Sequence, residues 1–199
     1  QLMQSQPPGA MLAVSLSEQQ CQNLLDNQLS LAAINGLSQC VISGPTEAID
    51  NLQQQLSEQK VESRRLHTSH AFHSQMMELV FKPFIEHIKQ IPLHPPQIPY
   101  ISNVTGTWMT AEQATDPNYW GKHLRQTVRF ADGLQELMQK SNNIFLEVGP
   151  GRTLTTFAKR YAGTTEPVIL SSLHHPQDSE LDVAFLLRTL GKLWLNGIE

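Results

Sequence analysis

The stretch His67-Thr68-Ser69-His70-Ala71-Phe72-His73-Ser74 carries three of the chain's eight histidines at three-residue spacing, beside an aromatic ring and hydroxyls. Imidazole is the side chain whose unperturbed pKa lies closest to neutrality, so this stretch can supply a general base. The same spacing lets histidines share a helix face and ligate a metal, and it equally suits surface residues at the mouth of a helix. Metal is the weaker of the two chemical readings. The cluster precedes the helical segment, and no Cys, Asp or Glu stands at ligand spacing nearby. Spacing alone does not rank the imidazoles.

Other reactive residues are scattered. Glu147-Val148-Gly149-Pro150-Gly151 places a rigid turn between an apolar strand and a helix, where Glu147 could act as a general acid and backbone amides could cradle a phosphate. The segment matches neither a G-x-G-x-x-G nor a Walker pattern, which favours a structural turn. A nucleophilic serine would announce itself in a Gly-X-Ser-X-Gly elbow. Gly36-Leu37-Ser38-Gln39-Cys40 begins like one but ends on Cys, inside what reads as a hairpin. His174-His175 lies in a Pro-containing loop and reads as solvated. The histidine stretch offers a candidate base, and no nucleophile motif accompanies it.

These residues need a scaffold, and 199 residues with 40% apolar content can bury one or two cores. A net charge of -4 without a Lys/Arg run argues against nucleic acid, and no apolar run is long enough for a membrane span. Cys21 and Cys40 show no C-x-x-C spacing and read as reduced thiols of a cytoplasmic protein. The chain opens on Gln1-Leu2-Met3-Gln4, with no initiator methionine or signal peptide, and reads as a piece of something longer.

Periodicity predicts a strand over Ala10 to Leu16 and a short helix capped by Ser17 with Gln20 three residues on. A hairpin follows (Leu31 to Asn35, Gln39 to Ser43), then a helix from a Thr46 cap to Lys60 with Ile49, Leu52 and Leu56 inward, then a strand over Val61 to Leu66. That order is βαββαβ, the ferredoxin-like or split-βαβ arrangement. Farther on, Met77, Val80, Phe81, Phe84 and Ile88 mark a helix containing Pro83, and Tyr100 to Val104 reads as a strand. Thr110 with Gln113, and Asp116 before Pro117, each signal a helix start. Helices over Phe130–Met138, Thr153–Tyr161 and Leu181 onward alternate with strands over Ile144–Val148 and Val168–Ser172, which predicts parallel βαβ packing.

Taken together, Val61 to Phe84 with its His-Ala-Phe-His-Ser run, Asn35-Gly36 through Ser43-Gly44-Pro45, Ser102-Asn103-Val104-Thr105-Gly106, Tyr119-Trp120, Val128-Arg129-Phe130 and Leu146 to Gly151 resemble the acyltransferase domain of modular polyketide synthases, in its malonyl-selective variety. The resemblance implies an α/β fold: a ferredoxin-like small subdomain (10–66) after a linker (1–9), then the C-terminal part of an α/β-hydrolase-like large subdomain with a parallel sheet (67–199), ending near the post-acyltransferase linker. It implies transfer of a malonyl group from coenzyme A through an acyl-serine to the phosphopantetheine thiol of an acyl carrier protein, with no tightly bound cofactor. Adjacent synthase domains, the ketosynthase and linkers, are the other implied partners. By the same resemblance His73 is the catalytic base, Phe72 the gate against a 2-methyl branch, and His70 and Ala71 selectivity neighbours. The family's nucleophile motif and malonyl-pairing arginine have no counterpart within the chain, so it is expected to be inactive by itself. The alternatives are a non-catalytic docking module for a carrier protein or neighbouring domain and, more remotely, a ferredoxin-like RNA binder.

Overall fold

The computed structural model describes residues 1–140, 142–163 and 167–198. They form two compact units, Gln1–Glu136 and Leu137–Glu199.

The first unit is built on a four-stranded sheet. β1 (Ala10–Val14), α1 (Glu18–Gln22), β2 (Ser30–Gly36), β3 (Gln39–Gly44), α2 (Thr46–Glu58) and β4 (Ser63–Arg65) follow the expected βαββαβ order. The strands lie β2-β3-β1-β4, every neighbouring pair antiparallel, so β3 sits between the two strands joined by α1. Strand residues alternate faces, and this parity divides the core in two. Leu12 and Ile42 are cross-strand partners and fully buried on the side of α2, whose Ile49, Leu52 and Leu56 recur at helical spacing and are buried with them. Met11, Ala32 and Val41 form the opposite face, on which Ala13, Ala33, Leu66 and Phe72 pack.

Ser17 caps α1 in a full capping box with Gln20. Thr46 does not cap α2. The helix begins on it, Pro45 occupies the cap position, and no side-chain bond closes the end. β4 is shorter than Val61 to Leu66 predicts: only Ser63–Arg65 keeps ladder register with β1, and beyond Arg65 a single bond runs from the Leu66 amide to the Met11 carbonyl at 2.9 Å.

α3 (Glu78–Ile88) contains Pro83 and buries Val80 and Ile85. α4 (Ala111–Thr115) starts from a second capping box, Thr110 with Gln113. α5 (Pro117–Arg125) packs closely on α3: a Cβ on Gly121 would stand 2.8 Å from Ile85 Cδ1 and 3.1 Å from Phe81 Cε2. α6 (Phe130–Met138) follows and buries Ala131 and Leu134. The expected strand at Tyr100 to Val104 is a turn, with a lone bridge between Ile101 and Trp108. The buried Ser102 hydroxyl explains it, since its Oγ accepts the Val104 and Thr105 amides at 3.2 and 3.1 Å and pairs with Tyr119 Oη at 2.7 Å. Those bonds bend the chain away from an extended course.

In the second unit β5 (Ile144–Glu147) and β6 (Val168–Ser171) pair in parallel, connected through α7 (Thr153–Ala162). The final helix α8 (Asp182–Leu195) is tied to β6 where Thr189 Oγ1 donates to the Ser171 carbonyl at 2.9 Å. Its Val183, Leu186, Leu187, Leu190 and Trp194 recur at helical spacing yet are exposed. His174 is not a solvated loop residue: its ring lies 6.0 Å from that of Phe185, and its Nε2 stands 2.8 Å from Asp182. The His175 carbonyl and that carboxylate hold its pKa above the ordinary value.

Candidate active site

The three histidines part company in space. His67 is exposed. His70 is buried with both ring nitrogens engaged, Nε2 on the Gln6 carbonyl at 3.2 Å and Nδ1 on Ser69 Oγ at 2.8 Å. A carbonyl only accepts, so Nε2 carries the proton and Nδ1 accepts from the serine hydroxyl. Together with the bond from the Gly9 amide to the Ser69 carbonyl at 3.2 Å, this fastens the segment leading into β1 onto the histidine loop. Among the described residues no group of three or more His, Cys, Asp and Glu is arranged to hold a metal ion.

His73 differs in every respect that matters for proton transfer. It sits half-buried on a turn with φ +56°, a left-handed conformation uncommon in a residue with a Cβ. Its Nδ1 lies 2.9 Å from the Gln126 backbone carbonyl. Nδ1 must therefore be the donor, which leaves the Nε2 lone pair free to take a proton. Burial holds this imidazole below its ordinary pKa, the bond to the Gln126 carbonyl opposes that shift, and the nearby His123 adds to it. The ring thus stays neutral, and basic, to a lower pH than a solvated histidine.

The acceptor is rigidly placed. Gln126 ends α5, its amide bonded to the Lys122 carbonyl at 2.8 Å. The next residues dock on the outer edge of β2: Thr127 Oγ1 donates to the Leu31 carbonyl at 2.7 Å, and Val128 exchanges backbone bonds with Ala32 and Ile34, each at 2.9 Å. Sequence reasoning misses Gln126 because the carbonyl that matters belongs to every residue type. The sequence signals only the helix upstream of it, through the Asp116-Pro117 start and the aromatic Tyr119-Trp120 pair.

Phe72 lies on the sheet face formed by Met11, Ala32 and Val41, its ring 6.0 Å from that of His70. Ala71 is fully buried beside Gly9, where an added Cβ would meet the Ala71 Cβ at 2.7 Å and its amide nitrogen at 2.9 Å. His70, Ala71, Phe72 and His73 are thus one turn with four distinct placements.

The glycine turn in the second unit is structural. Glu147 accepts the Leu154 and Thr155 amides at 3.1 and 2.7 Å, so its carboxylate occupies the start of α7 where a phosphate would have bound. Gly149 and Gly151 both adopt positive φ, +140° and +89°, which explains the residue type without a ligand. Glu147→Ala is expected to lower the stability of this unit by about 1 kcal/mol, read from denaturant midpoints, with Glu147→Gln recovering part of the loss. Equal midpoints for the alanine variant and the parent would refute the cap.

Residues 1–199 match the acyl transferase domain family. The chain is 38% identical over 200 residues to a phenolphthiocerol/phthiocerol polyketide synthase component of Mycobacterium tuberculosis, covering 100% of this chain and 13% of that protein. It is 38% identical over 162 residues to the spectinabilin polyketide synthase system protein NorB of Streptomyces orinoci, covering 79% of this chain and 8% of that one. The acyl transferase domain of SpnD, solved in complex with 2-(pent-4-yn-1-yl)malonyl, superimposes with a TM-score of 0.94 at 37% identity over 98% of this chain and 48% of its own. The acyl transferase domain of ZmaA gives a TM-score of 0.90 at 34% identity, over 100% of this chain and 47% of its own. The chain spans about half the length of these solved structures. It belongs to the acyl transferase domain family, with polyketide synthase acyltransferase domains as its relatives.

Proposed function

We propose that this chain supplies the base-bearing half of an acyltransferase that moves a malonyl unit from coenzyme A to the phosphopantetheine thiol of an acyl carrier protein. In this reading residues 10–66 are the inserted subdomain, residues 67–199 belong to the larger one, and the nucleophilic serine lies in the half of the domain that this chain does not span. The observation carrying the reading is the His73 Nδ1 bond to the Gln126 carbonyl, which leaves Nε2 free and neutral. His73 Nε2 takes the serine proton as the oxygen attacks the thioester carbonyl, then returns it to the departing coenzyme A thiolate. In the second half the carrier thiol gives its proton to His73, attacks the acyl-serine, and the serine oxygen recovers that proton. Mass spectrometry after mixing with malonyl coenzyme A tests the division of labour: a covalent adduct is expected on the whole domain and none on this chain alone. An adduct on the chain alone would refute it.

Phe72 is the gate in the same reading. Its ring, backed by the sheet face, opposes a branch at the 2-position of the acyl group. Shape discrimination of a single methyl is worth roughly 10–200-fold, so Phe72→Ser in the whole domain is expected to raise the methylmalonyl-to-malonyl ratio of kcat/KM by about tenfold. An unchanged ratio removes Phe72 from the gate.

The exposed stripe on α8 favours a second role beside catalysis, in which this helix meets a neighbouring part of a synthase. Polar replacements along the stripe would then weaken assembly while leaving His73 chemistry intact.

A further inference from the structure

The geometry points to Ser74 as the positioning residue that sets His73 in place, an inference that rests on the reading of His73 as the base. Ser74 is fully buried although its side chain is polar. Its hydroxyl donates to the Ala71 carbonyl at 2.6 Å and accepts the Met76 amide at 3.1 Å. The first bond closes the chain around Phe72 and His73, and the second starts the 3-10 turn Gln75–Met77. Between those two bonds lies the left-handed φ of +56° at His73. A side-chain-bearing residue keeps such a conformation only when its surroundings over-determine it. The buried clamp does that.

The clamp also shares a reference frame with the acceptor. The Gln75 amide donates to Ser30 Oγ at 3.3 Å, which anchors the turn to the first residue of β2. Thr127 and Val128 anchor the Gln126 carbonyl to the same strand, through Leu31, Ala32 and Ile34. Ring and carbonyl are thus both measured from β2, and Ser74 is the joint on the ring's side. Serine suits the role because one small hydroxyl both donates and accepts. Alanine would leave the Ala71 carbonyl and the Met76 amide without that partner in a buried place.

The test is nitrogen-15 NMR of the imidazoles in this chain, comparing parent, Ser74→Ala and Ser74→Cys. The parent is expected to show His73 as a single tautomer with a protected Nδ1–H. In Ser74→Ala that signal should average between tautomers and its titration midpoint move up toward an ordinary imidazole as the ring leaves its buried position. Ser74→Cys, a weaker donor of similar shape, should fall between them. In the whole domain Ser74→Ala should lower kcat by about tenfold or more with KM held within about twofold, since misplacing a catalytic group by about 1 Å can cost far more than that. An unchanged His73 signal in Ser74→Ala overturns the inference. So does unfolding of both variants, because Ser74 would then serve folding alone. The ring signal does not depend on what His73 does chemically: if His73→Ala kept full transfer, the base reading would fall while the clamp was judged separately.

Discussion

His73→Ala is expected to reduce malonyl transfer by about 10²–10⁴-fold in a whole acyltransferase domain carrying this chain's residues, the usual worth of a positioned general base. The loss should fall on the formation and the breakdown of the acyl-serine alike, because one imidazole serves both half-reactions. His70→Ala should keep most of the transfer. Its two ring nitrogens are committed to Gln6 and Ser69, so its removal loosens an attachment without deleting a base. Equal losses from the two variants would undo the assignment of His73. The pH profile adds a check. Burial lowers the His73 pKa, so the acid limb of kcat/KM should lie below the ordinary imidazole value of about 6.5. An acid limb above it would mean that some other group is the base.

Gly9→Ala carries the second large expectation. The glycine has an unexceptional backbone, and what forbids a side chain is space. The added Cβ would overlap the Ala71 Cβ and stand 2.9 Å from the Ala71 nitrogen, with the Gly44 carbonyl oxygen at 3.1 Å. Two of these are backbone atoms, which cannot rotate away, so the loop must shift bodily. Overpacking of this kind costs about 1–3 kcal/mol. The residue displaced lies two positions before His73, and a shift of about 1 Å at a reacting group can cost about 10²-fold in rate. Chemical denaturation and single-turnover transfer should therefore both register the substitution. A variant with the parent's denaturation midpoint and the parent's rate would show that the loop absorbs a methyl group freely.

Much of the fold is readable in the residues themselves. The βαββαβ order follows from short apolar runs alternating with a capped helix, and Ser17 with Gln20 forms the box that its spacing announces. The parallel pair in the second unit follows from strands separated by a helix. Failures cluster where hydrogen bonding overrides pattern. Tyr100 to Val104 looks like a strand, but Ser102 turns the chain, and buried serine hydroxyls compete with ladders in ways periodicity does not register. Glu147 looks available for acid chemistry in the sequence, whereas in the fold α7 claims both of its oxygens.

The site is half legible. Residue types flag the histidine stretch, and family resemblance ranks its members, but neither names Gln126, which acts through a backbone carbonyl, or Ser74, whose role is visible only once it is seen to be buried between two backbone groups. The turn at His73 is equally silent, since a left-handed φ belongs to a conformation and not to a residue type.

The docking of Val128 on β2 has a consequence for self-association. A sheet this small has two borders, and a long, flat, unpaired border is a template for intermolecular pairing. On one border Val128 already occupies donors and acceptors of β2. On the other, β4 is only three residues long and carries Arg64 and Arg65, the latter paired with Asp50. The segment that carries the carbonyl bonded to His73 therefore also seals a sticky edge, so loosening it would open the sheet to pairing with other chains as well as misalign the imidazole.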